Sequence, residues 1–465
     1  MEEKLAQYLN LEQSAALLKD MARDLGAQEI VVVKNLEYVY TPFELYLLAP
    51  KITHNLDRIA AFAVDMDGTS TTTEPLALHA LEYMVRRFTG RLSKSEWPGL
   101  DPEKDYPFII GNSNFRHTEF LVKRYGPWLR EDALRSSFFE SLLWTLSNVE
   151  DRQRIKDVRQ NAANCGIGCV LEDPDFSALV AERRVDEENV SEAVRPFIEK
   201  YGAMFKYHNP GELVGAALDI YYARYHSILR RVEHGEGRRL SKELLGDGGR
   251  RLIEPMPGYA LFLSLIKGWL GEEAANLCSE LRRHLPSRPS SEDEDRARLA
   301  RLGQRFARNP AKIALVTASI AYEAHTVVKE VFSVAREQIA EWPISEPRKR
   351  ELIDRFGDYR AVYDGFVTAS DSSEARLKPH RDLFSIALYQ MSIAKKDYCC
   401  CVGLEDTEPG IIALRSAGVG CAVALPNHDT CRQNYAAASR VVHGGLPELI
   451  LGHNCMLTEE DGTSK

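Results

Sequence analysis

A short apolar run that stops abruptly at an acidic loop constrains the fold of this chain more than any other feature. Ile59 to Val64 carries no charge and has the length of a buried parallel strand. Asp65, Asp67 and Gly68 follow at once, in the loop Asp-Met-Asp-Gly-Thr. A strand that ends in two carboxylates and a glycine indicates a ligand site at the carboxyl edge of a parallel sheet.

From residue 312 onward, strand-length apolar runs alternate with helical patterns. Such alternation with short connections predicts an α/β fold, in which helices cover both faces of a parallel sheet. The predicted strands cover 312–316, 364–368, 398–402, 420–425 and 440–442. The predicted helices between them cover 322–341, 380–394 and 409–417.

The first strand is separated from the others by the long segment 79–307, whose pattern is mostly helical. An insertion of this size should form its own domain, and a chain of 465 residues has room for two or three. The predicted units are an extension at 1–55, a core at 56–78 and 308–455, a helical cap at 79–307 and a tail at 456–465. Loops are expected in the cap at 95–106, 165–175, 234–250 and 285–291, and the extension should hold a helix at 11–25 and strands at 29–34 and 38–48.

Composition narrows the class of protein. The formal net charge of -9 argues against a nucleic-acid binder, which usually needs a basic surface. The longest apolar stretch, Gly258 to Gly271, is too short to span a bilayer and contains Lys267. The first residues show no signal-peptide pattern, so we expect a soluble, cytoplasmic protein with no membrane partner.

The nine cysteines do not predict a disulfide framework, because their number is odd and their spacing unpaired. Cys399 to Cys401 stand in an apolar run, which predicts a buried strand. Cys165 and Cys169 lack the matching Cys or His pair that a structural zinc site would need.

Other predicted strands end close to residues that bind anions or cations. Thr317, with Ser319 just beyond it, follows the strand at 312–316, and Lys378 lies shortly after the strand at 364–368. Glu405 and Asp406 follow the strand at 398–402. Because ligands of open parallel sheets bind at the carboxyl ends of strands, we expect all of these side chains to converge on the loop after the first strand.

This set of side chains suits phosphoryl transfer. One carboxylate can attack phosphorus, and a second can act as general acid and base. A glycine lets the backbone approach a phosphate closely. A hydroxyl and an ammonium group can neutralise charge on the transferring oxygens, and further carboxylates can hold Mg²⁺.

Four segments, in order, resemble the motifs of the haloacid dehalogenase-like (HAD) superfamily. The loop that begins at Asp65, with the Glu-Pro-Leu that ends at Leu76, resembles the first motif. Leu315-Val-Thr-Ala-Ser319, Leu377-Lys-Pro379 and Gly403-Leu-Glu-Asp-Thr-Glu-Pro-Gly-Ile411 resemble the second, third and fourth. The Glu-Asp form of the fourth motif is similar to that of the beta-phosphoglucomutase and sugar-phosphatase branch. The resemblance covers a little over a third of the chain and implies a Rossmann-like core with a C1-type helical cap of unusual size.

The resemblance also implies roles for single residues. Asp65 would be the nucleophile and a magnesium ligand, and Asp67 the general acid and base, with its carbonyl also on the metal. Thr317 and Lys378 would bind the phosphoryl group, at which Gly68 allows close approach. Asp406 would be a magnesium ligand, and Glu405 would reach the ion directly or through water. Thr72 stands where the family often has an acidic residue, which puts contacts at the cap hinge in question.

The cap offers two weaker candidates. Asn112 to Glu119 is a dense polar cluster, in which Arg116 and His117 could bind substrate. The alternative interpretation, a loop followed by a helix start, is the one we favour.

The function expected from these features is Mg²⁺-dependent hydrolysis of a small phosphorylated metabolite, such as a sugar phosphate, through an aspartyl phosphate. A phosphomutase would use the same residues, with a substrate hydroxyl in place of water. Phosphonate cleavage would need a cap lysine, and dehalogenation is disfavoured because those relatives lack the second aspartate. A non-catalytic binding protein on the same scaffold is the alternative from another class. The oligomeric state is left open.

Overall fold

The structure, a computed structural model, describes residues 9–36, 39–183, 185–285, 287, 289–453 and 456. The N-terminal region begins with helix α1, Leu11–Asp24, and continues with an antiparallel pair of strands, β1 (Ile30–Lys34) and β2 (Phe43–Leu47). The helix and the first strand are confirmed. The second strand is shorter than predicted, and Tyr38, at its predicted start, lies outside the described residues.

A six-stranded sheet, parallel throughout, forms the centre of the molecule. The strands are β3 (Ala61–Asp65), β4 (Lys312–Val316), β5 (Gly365–Val367), β6 (Cys401–Glu405), β7 (Cys421–Ala424) and β8 (Arg440–Val441), in the spatial order β5-β4-β3-β6-β7-β8. From β3 the chain builds outward to β5, then returns to the other side of β3 with β6. The order therefore switches between β3 and β6, where open parallel sheets bind their ligands.

The segment between β3 and β4 is helical, as predicted. Its first nine α-helices are α2 (Glu74–Thr89), α3 (Tyr106–Ile109), α4 (Asn114–Tyr125), α5 (Glu131–Asn148), α6 (Arg152–Asn164), α7 (Pro174–Glu182), α8 (Val190–Tyr201), α9 (Pro210–Glu233) and α10 (Gly237–Leu245). Helix α9 is their centre and packs against α2, α4, α5 and α6. It starts sharply because the Asn209 side chain accepts from the Glu212 N–H, with Pro210 in the first turn.

Three further helices precede β4, and the rest lie among the later strands. They are α11 (Tyr259–Ile266), α12 (Cys278–Arg282), α13 (Glu292–Arg308), α14 (Ala321–Ala340), α15 (Glu346–Arg355), α16 (Asp382–Gln390), α17 (Glu408–Ser416) and α18 (Gly445–Gly452). The α/β class, with a parallel sheet and a large helical insertion, is confirmed. Among the described residues, no helix is both long enough and apolar enough to cross a membrane.

Alternate residues of β3 face opposite layers of helices, as the period of a strand requires. The Phe62 ring lies edge-on to Phe262 of α11, with centroids 5.1 Å apart, and also contacts Phe306 of α13. Ala61 and Ala63 face the other layer, formed by α16 and α17. Every residue of β3 is buried, so the strand holds Asp65 at its end in a fixed position.

Two chain segments connect the helical insertion to the sheet, and they pair with each other. The Thr72 N–H donates to the Glu254 carbonyl at 2.9 Å, and the Glu254 N–H donates to Thr72 Oγ1 at 3.0 Å. Met256 N also donates to Ser70 O at 2.9 Å. Thr72 thus contributes a hinge contact without an acidic side chain. Because α11 and α13 pack on the sheet, we propose that the cap ends at this hinge rather than at residue 307.

Three local predictions need correction. Helix α10 lies within the predicted loop 234–250, and a 3₁₀ helix occupies Gly168–Glu172 within the predicted loop 165–175. The strand predicted at 398–402 begins only at Cys401, because a 3₁₀ helix covers Lys395–Cys400. Cys399 is exposed and Cys400 partly exposed, so Cys401 alone of the triplet is a buried strand residue. The predicted loop 285–291 includes residues outside the described part, as does the predicted tail except Met456.

Candidate active site

The carboxyl ends of β3, β4 and β6 bring the predicted residues of three motifs to one edge of the sheet. Asp65 ends β3, Thr317 follows β4, and Glu405 ends β6 with Asp406 next in the chain. All four side chains are buried, the least buried being Asp65 at 5 % exposed. The register of β3 with its neighbours on both sides therefore sets the geometry of the cluster.

Lys378 reaches the same cluster from the loop between β5 and α16. Its ammonium group lies 2.7 Å from Glu405 Oε1 and forms a close ion pair with Asp65 Oδ1. The side chain is buried, which by itself favours the neutral amine. The charges of Asp65 and Glu405 outweigh that effect and raise the pKa of Lys378 above its ordinary value. The group is therefore a cation held against two carboxylates.

The cluster has more negative charge than Lys378 can balance. Burial, followed by the neighbouring charge of Glu405, raises the pKa of Asp65 well above its usual range, although Lys378 opposes the shift. Burial and the charges of Glu405 and Asp65 raise the pKa of Asp406 in the same way. Carboxylate oxygens of Asp65, Glu405 and Asp406 all lie within 4.8 Å of one another. Buried carboxylates this close fit a hard divalent cation such as Mg²⁺.

Asp67 is held by three hydroxyl groups. Thr73 Oγ1 donates to its Oδ1 at 2.5 Å, while Thr317 Oγ1 and Ser319 Oγ donate to its Oδ2 at 2.8 and 3.3 Å. Thr317, predicted as a phosphate ligand, thus contacts the predicted general acid and base. Thr73 precedes α2 at the cap hinge, so the position of Asp67 depends on both the core and the cap.

Gly68 shapes the loop beside Asp406. Its φ of 80° is a left-handed conformation, and a Cβ there would lie 2.3 Å from Asp406 Oδ2. Asp406 is fixed by donors from Thr69 Oγ1 at 3.0 Å and Asn427 Nδ2 at 2.9 Å. The Gly68 N–H donates to Thr71 O at 3.0 Å, so contact of this amide with a phosphate would require that bond to open.

A cavity of about 80 Å³ lies between this cluster and the cap. Its floor includes Asp65, Asp67, Lys378 and Glu405. The cap side is contributed by α2, α4, α9 and the segment before α4. Besides Ala77 and Gly111 it has the polar or aromatic residues Thr73, Glu74, Asn112, Asn114, His117, Tyr221 and Tyr225.

The two weaker candidates for substrate binding in the cap, Arg116 and His117, have different positions. His117 lines the cavity and is 9 % exposed, and in the described part of the chain neither ring nitrogen has a hydrogen-bond partner of good geometry. Burial lowers the pKa of His117 to about 4, although the nearby carbonyls of Asn112 and Ile109 oppose the shift, so the ring is neutral near pH 7. Arg116 does not line the cavity; its Nη2 donates to Lys34 O of β1 at 2.8 Å.

Glu74 is a cavity residue that the sequence analysis did not single out. Burial, followed by the charge of Asp67 and of more distant carboxylates, raises the pKa of Glu74 to about 8. Glu74 belongs to the Glu-Pro-Leu segment that follows the first motif, so its place next to the motif could have identified it as a candidate site residue. Asn427, shortly after β7, carried the same strand-end signal as the predicted residues. Tyr221 and Tyr225 carried none, because tyrosines four apart on a helix usually mark core packing.

No protein-family model and no curated protein matches the chain. Solved structures that resemble it include CbbY from Rhodobacter sphaeroides in complex with phosphate, at 14% identity and a TM-score of 0.37, over 84% of this chain and 96% of that chain. An HAD family hydrolase from Deinococcus radiodurans R1 with bound phosphate and sodium matches at 13% identity and a TM-score of 0.33, over 86% and 98%. An HAD hydrolase of family IA, variant 3, from Entamoeba histolytica matches at 12% and 0.32, over 83% and 93%.

The strand order, the acidic loop after β3 and the helical insertion that follows it agree with the α/β core and the cap that the motifs predict.

Proposed function

We propose that this chain is a magnesium-dependent phosphatase of the HAD type, which hydrolyses a small phosphorylated metabolite through an aspartyl phosphate on Asp65. The observation that carries the proposal is the buried cluster at the β3/β6 switch point. There a charged Lys378 and the carboxylates of Asp65, Glu405 and Asp406 meet beneath a cavity. Phosphoryl transfer needs this combination of a nucleophile, a cation and acidic metal ligands in a site shielded from water.

The residues that would hold Mg²⁺ are Asp65, Glu405 and Asp406, with the main-chain carbonyl of Asp67. Bound there, the ion would neutralise charge on phosphate oxygens and polarise the phosphorus for attack. The donor set fits, since it is made of buried oxygens whose mutual repulsion a divalent cation would relieve.

The protein's own residues would carry the covalent steps. The Asp65 carboxylate attacks phosphorus, and the bond from phosphorus to the substrate oxygen breaks. Asp67 gives its proton to the departing oxygen. Asp67 then takes a proton from the water that cleaves the acyl phosphate, which restores Asp65 and releases inorganic phosphate. Lys378 supplies positive charge beside Asp65, where negative charge develops on the transferring oxygens.

The charges around the cavity favour an uncharged leaving group. Lys378 is the one lysine or arginine among the residues that line the cavity, and the cap side offers hydroxyls, amides, a neutral imidazole and Glu74. A second phosphate or a carboxylate would meet no cation there. A volume of about 80 Å³ suits a phosphate with a few further heavy atoms. We therefore propose a monophosphate of a small polyol or sugar as substrate.

The same observation weighs against the other enzymatic hypotheses. A phosphomutase primed by a sugar bisphosphate would need a second phosphate site on the cap, and none of the described residues that line the cap side of the cavity is a lysine or an arginine. Phosphonate cleavage would need a cap lysine, and the lysine that lines the cavity belongs to the core and is ion-paired.

A panel of phosphorylated metabolites, assayed for phosphate release with Mg²⁺, tests the proposed function. We expect steady release from small neutral polyol or sugar monophosphates without added bisphosphate, and little from bisphosphates. Asp65→Asn should abolish turnover, whereas Asp57→Asn, at an exposed position eight residues earlier, should leave it unchanged. Absence of turnover across the panel would favour a non-catalytic binding protein, and release that depends on a bisphosphate primer would favour the phosphomutase.

A further inference from the structure

The antiparallel strands β1 and β2, here called the N-terminal hairpin, present two different faces. Val33 and Tyr46 on the inner face are 2 % and 8 % exposed. Val32 and Leu45 on the outer face are 60 % and 54 % exposed. The hairpin is therefore docked by one face only, and the contacts of that face show what it can do.

The inner face contacts the loop that carries Lys378, on both sides of that lysine. Glu44 accepts from Arg376 Nη1 through both carboxylate oxygens, at 2.7 and 2.8 Å. The Tyr46 hydroxyl lies 2.7 Å from His380 Nδ1, and it donates to Glu44 Oε2 at 2.6 Å. Arg376 and His380 stand two residues before and two residues after Lys378.

These contacts are of the kinds that fix side chains. An arginine that binds a carboxylate through charge-assisted hydrogen bonds has a restricted geometry. Asp382 of α16 pairs with the other side of the Arg376 guanidinium, at 3.0 Å. The hydrogen bond from Tyr46, followed by the effect of Arg376, holds the pKa of Glu44 near 2, so the carboxylate is ionised. His380 is 3 % exposed, and its contact with Tyr46 is accordingly shielded from solvent.

The hairpin also contacts the cap. Arg116 Nη2, on α4, donates to the main-chain carbonyl of Lys34 in β1 at 2.8 Å. The next residue of α4, His117, lines the cavity above Asp65. The hairpin thus links the loop of Lys378 in the core to the cap helix that covers the site.

The loop between β5 and α16 has only short 3₁₀ turns of its own between Val367 and Asp382. Lys378 must nevertheless hold its ammonium group within bonding distance of Asp65 and Glu405. Since displacements of about 1 Å at a reacting centre can cost roughly 10²-fold in rate, a loop of this kind needs outside support.

We propose that the N-terminal hairpin has two supporting roles. Through Glu44 and Tyr46 it positions Lys378 for catalysis. Through the contact of Lys34 with Arg116 it holds helix α4 of the cap over the site. Glu44, Tyr46 and Arg116 are positioning residues, because none of them lines the cavity. This inference rests on the proposed function for its effect on rate, but the support of the loop is measurable without turnover.

The test compares Glu44→Gln, Tyr46→Phe and Arg116→Ala with a matched control, Leu45→Ser, on the outer face of the same strand. Hydrogen exchange by mass spectrometry measures opening of the loop 368–381 and of α4. We expect faster exchange in 368–381 for the Glu44 and Tyr46 variants, and in α4 for Arg116→Ala, while Leu45→Ser behaves as the wild type. Glu44→Asp, which keeps the charge, should restore most of the protection.

Steady-state kinetics on the same proteins separates positioning from general stability. Glu44→Gln and Tyr46→Phe should lower kcat by roughly tenfold with a smaller change in KM, as expected for a displaced transition-state donor. Arg116→Ala should mainly raise KM. The proposed support of the loop is wrong if the Glu44 and Tyr46 variants leave hydrogen exchange in 368–381 unchanged, or if that exchange rises with no loss of kcat. It is also wrong if exchange rises evenly over the whole chain together with a lower Tm. If the wild type shows no turnover, the proposed function fails, and the exchange data alone decide whether the hairpin supports the loop.

Discussion

At the scale of single residues, one ammonium group is paired with two of three clustered, buried carboxylates. Lys378 is paired with Asp65 and Glu405, and Asp406 lies within the same cluster. Burial of a charge is unfavourable unless the charge is paired. Loss of the ammonium group would therefore leave the buried carboxylates without compensation for their desolvation. The lysine that we propose for catalysis therefore also offsets part of the negative charge of this acidic cluster.

Replacement of Lys378 by methionine should therefore impair both activity and stability. Loss of one charge-stabilising donor is expected to lower kcat by roughly 10²–10³, and breaking a buried ion pair should cost about 3–5 kcal/mol of unfolding free energy. Lys395→Met, at an exposed position, is the control. Urea unfolding and phosphate-release assays measure the two effects, and a variant with wild-type kcat would contradict the role given to Lys378.

Glu74 gives a pH dependence of opposite sign to that of most carboxylates. Its pKa in the folded protein, about 8, is above the ordinary value of 4.5, so the folded state binds its proton more tightly than the unfolded chain does. The unfolding free energy should therefore fall as pH rises from 4.5 to 8, by at most about 1.4 kcal/mol per pH unit from this group.

Glu74→Gln should remove that part of the pH dependence. Without metal, we expect the variant to gain stability over the wild type as pH increases from 5 to 8, because a glutamine needs no proton to remain neutral. Urea unfolding at several pH values in the presence of a chelator measures the difference. A constant difference over this range would show that Glu74 ionises normally.

At the scale of elements, the cap and core meet where α9 crosses α14. His226 of α9 lies with its Nε2 2.9 Å from Glu323 Oε1 of α14, and both side chains are 1 % exposed. Glu323 also accepts from the Ile320 N–H at the start of α14. Its carboxylate therefore both stabilises the first turn of α14 and bonds to His226 of the cap domain.

Glu323→Ala should accordingly destabilise the protein by about 1–3 kcal/mol, since it leaves the His226 nitrogen and the Ile320 amide without their acceptor. Glu323→Gln keeps an acceptor and should lose much less. Chemical unfolding of the two variants beside the wild type checks the order, and equal stabilities would mean that water replaces the carboxylate without penalty.

The elements also show what the sequence could and could not predict. The strand ends at Asp65 and Thr317 were predictable, because each follows an uninterrupted apolar run. The start of β6 was not, since Tyr398 to Cys400 are apolar enough to extend the strand pattern and yet form a 3₁₀ helix. Tyr221 and Tyr225 reach the cavity only through the packing of α9 against α2 and α4, which no local pattern encodes.

At the scale of the whole molecule, the proposed function divides the work between two parts, with the sheet providing the reactive groups and the cap selecting the substrate. The four motifs predicted the core half of the site because they are local in sequence. Its cap half, including Glu74 and Asn114, depends on long-range packing of the insertion. The contact of Arg116 with Lys34 could not be predicted either, because Lys34 lies in a part of the chain that no motif covers.

Metal binding should stabilise the whole molecule. Because the acidic cluster is assembled only in the folded state, Mg²⁺ at roughly 100 times its Kd should add about 2.7 kcal/mol to the unfolding free energy. Differential scanning calorimetry with and without Mg²⁺ should show a higher Tm for the wild type and a much smaller shift for Asp406→Asn. An equal shift in that variant would place the ion elsewhere.

The covalent role of Asp65 is tested most directly by trapping the intermediate. Turnover with Mg²⁺ is stopped rapidly in acid, the protein is digested with pepsin at low pH so that an acyl phosphate survives, and the peptide that contains Asp65 is analysed by mass spectrometry. We predict one phosphoryl group on this peptide, located at Asp65, labile in base and absent from Asp65→Asn. A phosphoryl group on another residue, or steady hydrolysis by Asp65→Asn, would contradict the mechanism.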